Sequence, residues 1–113
     1  MSGGGERDRL RIFRALSVEK RMEIVRLLAG RTLCVGALSN LLGISAGAAS
    51  QHLRILRDAG IVEPDRRGYF THYRLAPGAA ERCRAAMDGL FGAGKGGGRC
   101  VAKKKGSARG RRN

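Results

Sequence analysis

A single glycine separates two runs of apolar residues with helical spacing in residues 33–60, and this break constrains the fold more than any other feature. In the first run, Val35, Leu38 and Leu42 recur at three and four residues, as on one face of an α-helix. Gly43 follows directly and can adopt the left-handed backbone conformation that ends a helix. The pattern predicts a short helix that stops at a tight turn.

A second helix is predicted immediately after this turn. Ser45 can act as its N-cap, because a serine hydroxyl accepts a hydrogen bond from an early helical N–H group that lacks a partner. Ala49, Leu53 and Leu56 then follow at helical spacing, and Gly60 marks the end of the run. Two short helices joined by a turn with one glycine form a helix–turn–helix pattern.

The face of the second helix that is predicted to be exposed is small, polar and basic. Its residues are Gly47, Ala48, Ser50, Gln51, Arg54 and Arg57. Such a face fits the major groove of DNA, where glutamine can bond adenine at two atoms and arginine can contact phosphate. We expect Ser50 and Gln51 to contact base edges, Gly47 or Ala48 to meet a thymine methyl group, and Arg54 to contact the backbone. Ser45, at the start of this helix, is also expected in the DNA-binding surface.

Two helices are predicted before this motif. The first covers residues 6–16, and Ser17 is predicted to cap the second, which ends at Gly30. The apolar stripe predicted for the first helix is Leu10, Phe13 and Leu16, widened by Ile12. The buried line predicted for the second helix is Met22, Val25 and Leu28, assisted by Ile24 and Leu27.

The spacing of apolar residues changes from helical to alternating after the helix–turn–helix. Ile61–Glu63 and Tyr69–Leu75 are predicted strands, and Pro64–Gly68 is the predicted turn between them. A hairpin in this place is a wing, so the predicted fold class is mostly α with a small two-stranded β wing. Arg66 and Arg67 at its tip are expected to contact phosphate or a minor groove.

A last helix is predicted from Pro77 to about Phe91. Five short helices in one small domain cannot bury all their apolar faces, so we expect the two outermost helices to pair with a second copy of the chain. The residues expected at this homodimer interface are Leu10, Phe13, Cys83, Met87 and Leu90. A two-fold dimer would place two DNA-reading helices about 34–36 Å apart and predicts a pseudo-palindromic operator.

Charge is distributed unevenly along the chain. The sequence has 23 basic and 9 acidic residues, a net charge of +14, and eight of the basic residues lie in residues 92–113, which contain no acid. We predict disorder in residues 1–5 and in this basic tail, and one domain over residues 6–91, which is itself basic. The excess of basic over acidic residues favours a polyanionic partner such as double-stranded DNA.

With no apolar stretch long enough to span a bilayer and no signal-peptide pattern, we expect a cytoplasmic protein without a membrane partner.

Seven segments carry a family resemblance when taken in this order and spacing. They are Arg14–Ser17, Arg26–Gly30, Leu33–Val35, Leu41–Ser45, Ser50–Val62, Arg66–Gly68 and Tyr73–Leu75. With them, residues 13–90 resemble the ArsR/SmtB family of bacterial winged helix–turn–helix repressors. The resemblance implies a homodimer that binds operator DNA and releases it when an inducer, often a metal or metalloid, binds.

The inducer sites of that family are incomplete in this chain. Members that bind soft ions carry Cys-Val-Cys at the start of the third helix, whereas this chain has Cys34-Val35-Gly36. The last helix lacks the histidine of zinc-type members, and the cysteine positions of persulfide-sensing members hold Val25 or Arg26 and Phe91 or Gly92. The sequence therefore requires no cofactor, and a metal or metalloid inducer is left open.

The three cysteines and two histidines have alternative interpretations. An odd number of cysteines argues against a disulfide framework. No metal site is assigned, although Cys34 and Cys100 are candidate thiolate ligands; the alternative for Cys34 is a small, partly buried apolar residue. Cys83 is expected to pack at the dimer interface. His52 either contacts phosphate or has a packing or helix-internal hydrogen-bonding role, and His72 is expected to be structural or to face solvent.

A different class of function is a small basic architectural or ribosome-associated protein that binds nucleic acid through charge, without sequence specificity. An enzyme is not expected, because the sequence has no paired carboxylates, no cysteine–histidine pair within one element and no phosphate-binding glycine loop after a strand. The two nucleic-acid-binding alternatives differ in their preference for one DNA sequence over others.

Overall fold

The computed structural model describes residues 5–92, and within them five helices and one three-stranded sheet form the fold. In chain order the elements are α1 (Glu6–Leu16), α2 (Glu19–Leu27), β1 (Leu33–Cys34), α3 (Val35–Leu42), α4 (Ala46–Asp58), β2 (Val62–Arg67), β3 (Phe70–Leu75) and α5 (Ala79–Phe91). The mostly helical fold class with a small β wing is confirmed. Cys100 and nearly all of the two segments predicted to be disordered lie outside the described residues.

One apolar core contains residues from all five helices and from the start of β2. Its members are Ile12, Ala15, Ile24, Leu28, Leu38, Leu42, Leu53, Leu56, Ala59, Ile61, Val62 and Ala86. The two helices of the helix–turn–helix therefore share a core with α1, α2 and α5, and this shared packing fixes the orientation of α4.

The turn between α3 and α4 has the predicted structure. Gly43 has a φ of 70° and ends α3 in the left-handed conformation. The Ser45 hydroxyl oxygen accepts a hydrogen bond from the Ala48 N–H at 3.1 Å, which satisfies an N–H of the first turn of α4. Leu53 and Leu56 are completely buried. The local chemistry of the turn thus sets where α4 begins and which face it buries.

The buried faces of α1 and α2 match the predicted ones only in part: Leu28 is buried as predicted, and Phe13, Leu16 and Val25 pack against the core. Ile12 and Ala15 are the buried residues of α1, whereas Leu10 is exposed. In α2, Ile24 is buried and Met22 is exposed. Apolar residues occupy neighbouring stripes of both helices, so the sequence allows more than one buried face. Packing of α1 against α2, α4 and α5 selects one of them.

Two predicted helix starts are wrong. Ser17 does not cap α2; it follows α1, and its hydroxyl donates to the Arg14 carbonyl oxygen at 2.8 Å. Val18 precedes α2 in an extended conformation. Pro77 lies in the turn before α5, because Gly78, with a φ of 78°, occupies the N-cap position.

The wing is longer than predicted, and its turn is shorter. β2 continues to Arg67, so Pro64 lies within a strand and only Gly68 and Tyr69 separate the two strands. Proline lacks the N–H group that pairs strands, and it is tolerated here because β2 lies at the edge of the sheet and has a neighbouring strand, β3, on one side. Arg74 on β3 holds the hairpin together through the carboxylate of Glu63, with an N–O distance of 2.8 Å.

A third strand was not predicted. β1 consists of Leu33 and Cys34 and pairs with β3, where Leu33 lies opposite Tyr73 and Cys34 opposite His72. The strand order is β1-β3-β2. This pairing attaches the wing to the start of α3 and gives the sheet two connections to the helix–turn–helix.

Candidate nucleic-acid interface

Helix α4 has one fully buried face and one polar, basic face. Ala49, Leu53 and Leu56 are completely buried, and Ala48 is half-buried. The exposed residues that were predicted to contact DNA are Ser45, Gly47, Ser50, Gln51 and Arg54, and Arg57 is exposed beside them. From Ala46 to Arg57 the helix contains no acidic residue. The exposed face is therefore compatible with a negatively charged groove along about 18 Å of helix.

The start of α4 is free of bulky side chains. A Cβ atom built on Gly47 would have only the Ser45 hydroxyl oxygen within 4 Å, at 4.0 Å. The packing of the protein itself therefore does not require glycine at this position. The absence of a side chain on the exposed face leaves the helix backbone accessible to a partner.

His52 is involved in a contact between two helices. Its Nδ1 accepts a hydrogen bond from the Arg21 Nε of α2 at 3.2 Å. Burial lowers the pKa of His52, and the adjacent positive charge of Arg21 lowers that pKa further. The imidazole is therefore neutral at neutral pH and holds α4 against α2. His52 thus has the packing role that was one predicted alternative, with a hydrogen bond that joins α4 to α2 instead of lying inside α4.

Arg21 was not predicted as part of this region. Besides its bond to His52, its guanidinium donates to the Arg14 carbonyl oxygen at 3.1 Å, near the end of α1. It thus connects α1, α2 and α4. The sequence gives no signal for this contact, since the partners are 7 and 31 residues away.

The wing begins close to the end of α4. The Ile61 N–H donates to the Leu56 carbonyl oxygen at 2.9 Å, which ties the start of the wing to the last turn of α4. Arg66 is exposed near the tip, and Arg67 ends β2 opposite Phe70. Both residues thus belong to a different element from the α4 residues, near the turn of the hairpin.

The expected dimer residues divide into two groups. Leu10, Met87 and Leu90 are 46%, 48% and 54% exposed. Phe13 and Cys83 are half-buried and pack against the core of the same chain. Burial raises the pKa of the Cys83 thiol, although the charges of Arg82 and Arg84 oppose this shift.

One further residue, Phe91, was not predicted at the interface but is 74% exposed at the end of α5. Helices α1 and α5 pack together, with the Arg9 guanidinium lying against Gly89. Each of these two helices thus has large apolar side chains exposed on its surface: Leu10 on α1, and Met87, Leu90 and Phe91 on α5.

Cys34 has a local structural role. Its Sγ accepts a hydrogen bond from the Ala37 N–H at 3.4 Å and so occupies the cap position of α3. Within residues 5–92, no group of three or more histidine, cysteine, aspartate or glutamate side chains could hold a metal ion. The candidate partner Cys100 lies outside this range.

Across residues 5–92, no helix has the length and hydropathy needed to cross a membrane.

Comparison with known proteins gives the same classification as this geometry. The model of the family described as "Bacterial regulatory protein, arsR family" matches residues 18–64, which include the whole helix–turn–helix. The transcriptional repressor SdpR of Bacillus subtilis is 34% identical over 64 residues, which are 57% of this chain and 71% of SdpR. The chain belongs to the ArsR family. The comparisons also favour a regulator over an architectural protein or an enzyme.

Two relatives within the ArsR family are named for arsenic resistance. The regulator ArsR1 of Pseudomonas putida is 34% identical over 73% of this chain and 65% of its own length. The arsenical resistance operon repressor of Escherichia coli is 38% identical over 60% of this chain and 59% of its own length. The chain thus spans slightly less than two thirds of these two proteins.

Solved structures of ArsR-like proteins share the fold. A candidate transcriptional regulator for arsenical resistance superposes with a TM-score of 0.64 at 34% identity, covering 70% of this chain and 82% of that one. A homodimeric winged helix–turn–helix DNA-binding domain from Mycobacterium bovis superposes with a TM-score of 0.59 at 31% identity, covering 81% and 87%. The fold is therefore a winged helix–turn–helix.

Proposed function

We propose that this chain is a homodimeric transcriptional repressor that binds a pseudo-palindromic operator with α4 in the major groove. The observation that carries the proposal is the exposed face of α4, which is small at its start, amide- and hydroxyl-bearing in the middle and basic toward its end. The repressor and regulator names of its relatives agree with it.

The residues of α4 have distinct roles in this proposal. Gln51 and Ser50 contact base edges, because both are exposed and a glutamine amide can bond adenine at two atoms. Arg54 contacts phosphate and positions the helix without selecting a sequence. Ser45 acts by capping the first turn, and His52 acts by holding α4 against α2.

The exposed apolar residues of α1 and α5 form the dimer interface in this proposal. Leu10, Met87, Leu90 and Phe91 are exposed on two helices that pack together within one chain, and in this proposal the partner chain covers them. A second copy related by a two-fold axis would place the two α4 helices one turn of DNA apart, about 34–36 Å. Cys83 packs against the core of its own chain and so helps to hold α5 in place.

The function is tested by selecting duplexes from a random-sequence pool and titrating the purified chain on the enriched duplex and on scrambled DNA. A repressor is expected to prefer the enriched duplex by about a thousandfold or more. Equal affinity for all duplexes would contradict the proposal and would instead support binding by charge alone.

Gly47→Ala tests the close approach of α4 to DNA. The variant is expected to be about 0.5 kcal/mol more stable, because alanine favours a helix over glycine and the new methyl group meets open space. Its affinity for the enriched duplex is nevertheless expected to fall about tenfold, a loss of about 1.4 kcal/mol, because that methyl group separates the backbone from the groove. Denaturant unfolding and DNA titration measure the two effects.

Gly36→Ala is the matched control, since Gly36 occupies the same second position in α3 and a Cβ there would have only the Cys34 Sγ within 4 Å. This variant should change stability in the same direction and leave DNA affinity as it was. Unchanged affinity in Gly47→Ala would mean that DNA does not approach α4 closely at this point.

Arg66→Ala tests the phosphate contact of the wing. Affinity is expected to fall by a similar factor for every duplex, and the slope of log affinity against log salt should flatten by about one unit. Arg84→Ala removes the same charge from an exposed position on α5 and should leave the slope unchanged. A loss confined to the enriched duplex would instead assign Arg66 to base recognition.

A further inference from the structure

The tip of the wing carries two exposed aromatic side chains that the proposed phosphate contacts do not use. Tyr69 is completely exposed and Phe70 is 67% exposed. The chain has only five aromatic residues, so two of the five occupy this tip. Neighbouring exposed aromatic rings on a small domain are typical of a binding surface.

The hairpin holds these rings at its far end. Pairing of β2 with β3 continues to Arg67 opposite Phe70, so Phe70, the first residue of β3, is still paired beside the turn. Gly68, with a φ of 59°, reverses the chain and leaves Tyr69 at the turn. The rings are therefore carried on a paired ribbon rather than on a loose loop.

The wing has the length needed to reach a neighbouring groove of DNA. Its first strand starts at Val62, four residues after the end of α4, and its six residues extend about 20 Å. Half a turn of DNA, the spacing from a major groove to the adjacent minor groove, is about 17 Å along the duplex axis. A wing that leaves the end of α4 can therefore place its tip at the adjacent minor groove.

The charge beside the rings specifies the partner. Arg66, next to the tip, is exposed and carries a positive charge. An apolar tip flanked by a cation is complementary to the minor groove, whose walls are phosphate backbones and whose floor gives access to the faces of stacked bases. A second copy of this chain would gain from the rings but would be repelled by the overall positive charge.

We propose that Tyr69 and Phe70 form an apolar wedge that enters the minor groove, partly unstacks one base step and bends the duplex. The inference rests on the proposed function and adds a second mode of recognition to it. Pyrimidine–purine steps are the easiest to unstack, so the wedge selects such a step at a position that α4 does not contact.

The test uses the duplex enriched by the wild-type chain, labelled with a fluorescence donor at one end and an acceptor at the other. Energy transfer between the labels measures how far the bound protein bends the duplex. The wild type is expected to bend it, and the double variant Tyr69→Ala/Phe70→Ala should lose the bend and bind about tenfold more weakly. The salt slope should not change, because no charge is removed. Arg66→Ala is expected to do the opposite, flattening the slope while keeping the bend.

Two controls isolate the rings. Tyr69→Phe keeps both aromatic side chains and should keep the bend. Met22→Ala removes an exposed apolar side chain from α2 and should leave both bend and affinity unchanged. 2-Aminopurine placed at the candidate step should brighten with the wild type and not with the double variant, which reports unstacking directly.

The outcomes separate this inference from the function on which it rests. A double variant that bends the enriched duplex as the wild type does overturns the wedge and leaves the repressor proposal standing. A double variant that changes the number of chains per complex without changing the bend assigns the tip to protein contacts and also overturns the wedge. A wild-type chain that enriches no duplex overturns both.

Discussion

Leu53→Ala is expected to lower the free energy of unfolding by about 3 kcal/mol. Leu53 is completely buried where α4 meets the core that all five helices share. The substitution removes the apolar contacts of the side chain and leaves a cavity that close-packed neighbours can only partly fill. For a domain of this size that loss is a large fraction of the total stability. Urea unfolding followed by circular dichroism measures it.

Arg54→Ala is the matched control, because Arg54 is the next residue of α4 and lies on the exposed face. Its free energy of unfolding should stay within about 0.5 kcal/mol of the wild type, while its affinity for all DNA should fall. Similar destabilisation by the two substitutions would mean that α4 does not bury the face assigned to it.

Gln51→Ala is expected to reduce affinity for the enriched duplex by between about tenfold and a hundredfold, because a bidentate contact to adenine contributes about 1–3 kcal/mol of discrimination. Affinity for scrambled DNA should not change, since glutamine carries no charge to contribute to nonspecific binding. Titration on both duplexes measures the preference, and stability should be unaffected because Gln51 is exposed.

Asn40→Ala provides the comparison, since it removes an exposed amide from α3, outside the proposed base contacts. It should keep the full preference for the enriched duplex. If Gln51→Ala also kept that preference, the base contacts would have to come from other residues of α4 or from the wing.

The helix–turn–helix could be predicted because local chemistry determines it. The left-handed Gly43, the capping hydroxyl of Ser45 and the buried line of Ala49, Leu53 and Leu56 all act within a few residues of one another. Such features can be recognised in a single sequence without knowing the rest of the fold. The exposed face of α4 followed from the same periodicity.

Features that depend on distant partners could not be predicted in the same way. β1 has only two residues, and it is a strand because Leu33 and Cys34 pair with Tyr73 and His72, about forty residues later in the chain. The bond between Arg21 and His52 likewise depends on how α2 packs against α4.

Ambiguous local signals account for the remaining errors. Ser17 has the right side chain for an N-cap, but it lies in the tight connection between α1 and α2, and its hydroxyl donates to the end of the first helix. Met22 fits an apolar line as well as Ile24 does, and only tertiary packing distinguishes them. The exposure of Tyr69 was missed because an aromatic residue also favours a strand.

Specific binding of DNA by a two-fold dimer is tested by counting the chains on the enriched duplex by analytical ultracentrifugation. The affinity for this duplex is compared with that for scrambled DNA at the same salt concentration. We expect two chains per duplex and a preference of about a thousandfold for the enriched sequence. A single chain per duplex that binds both DNAs equally well would contradict this expectation.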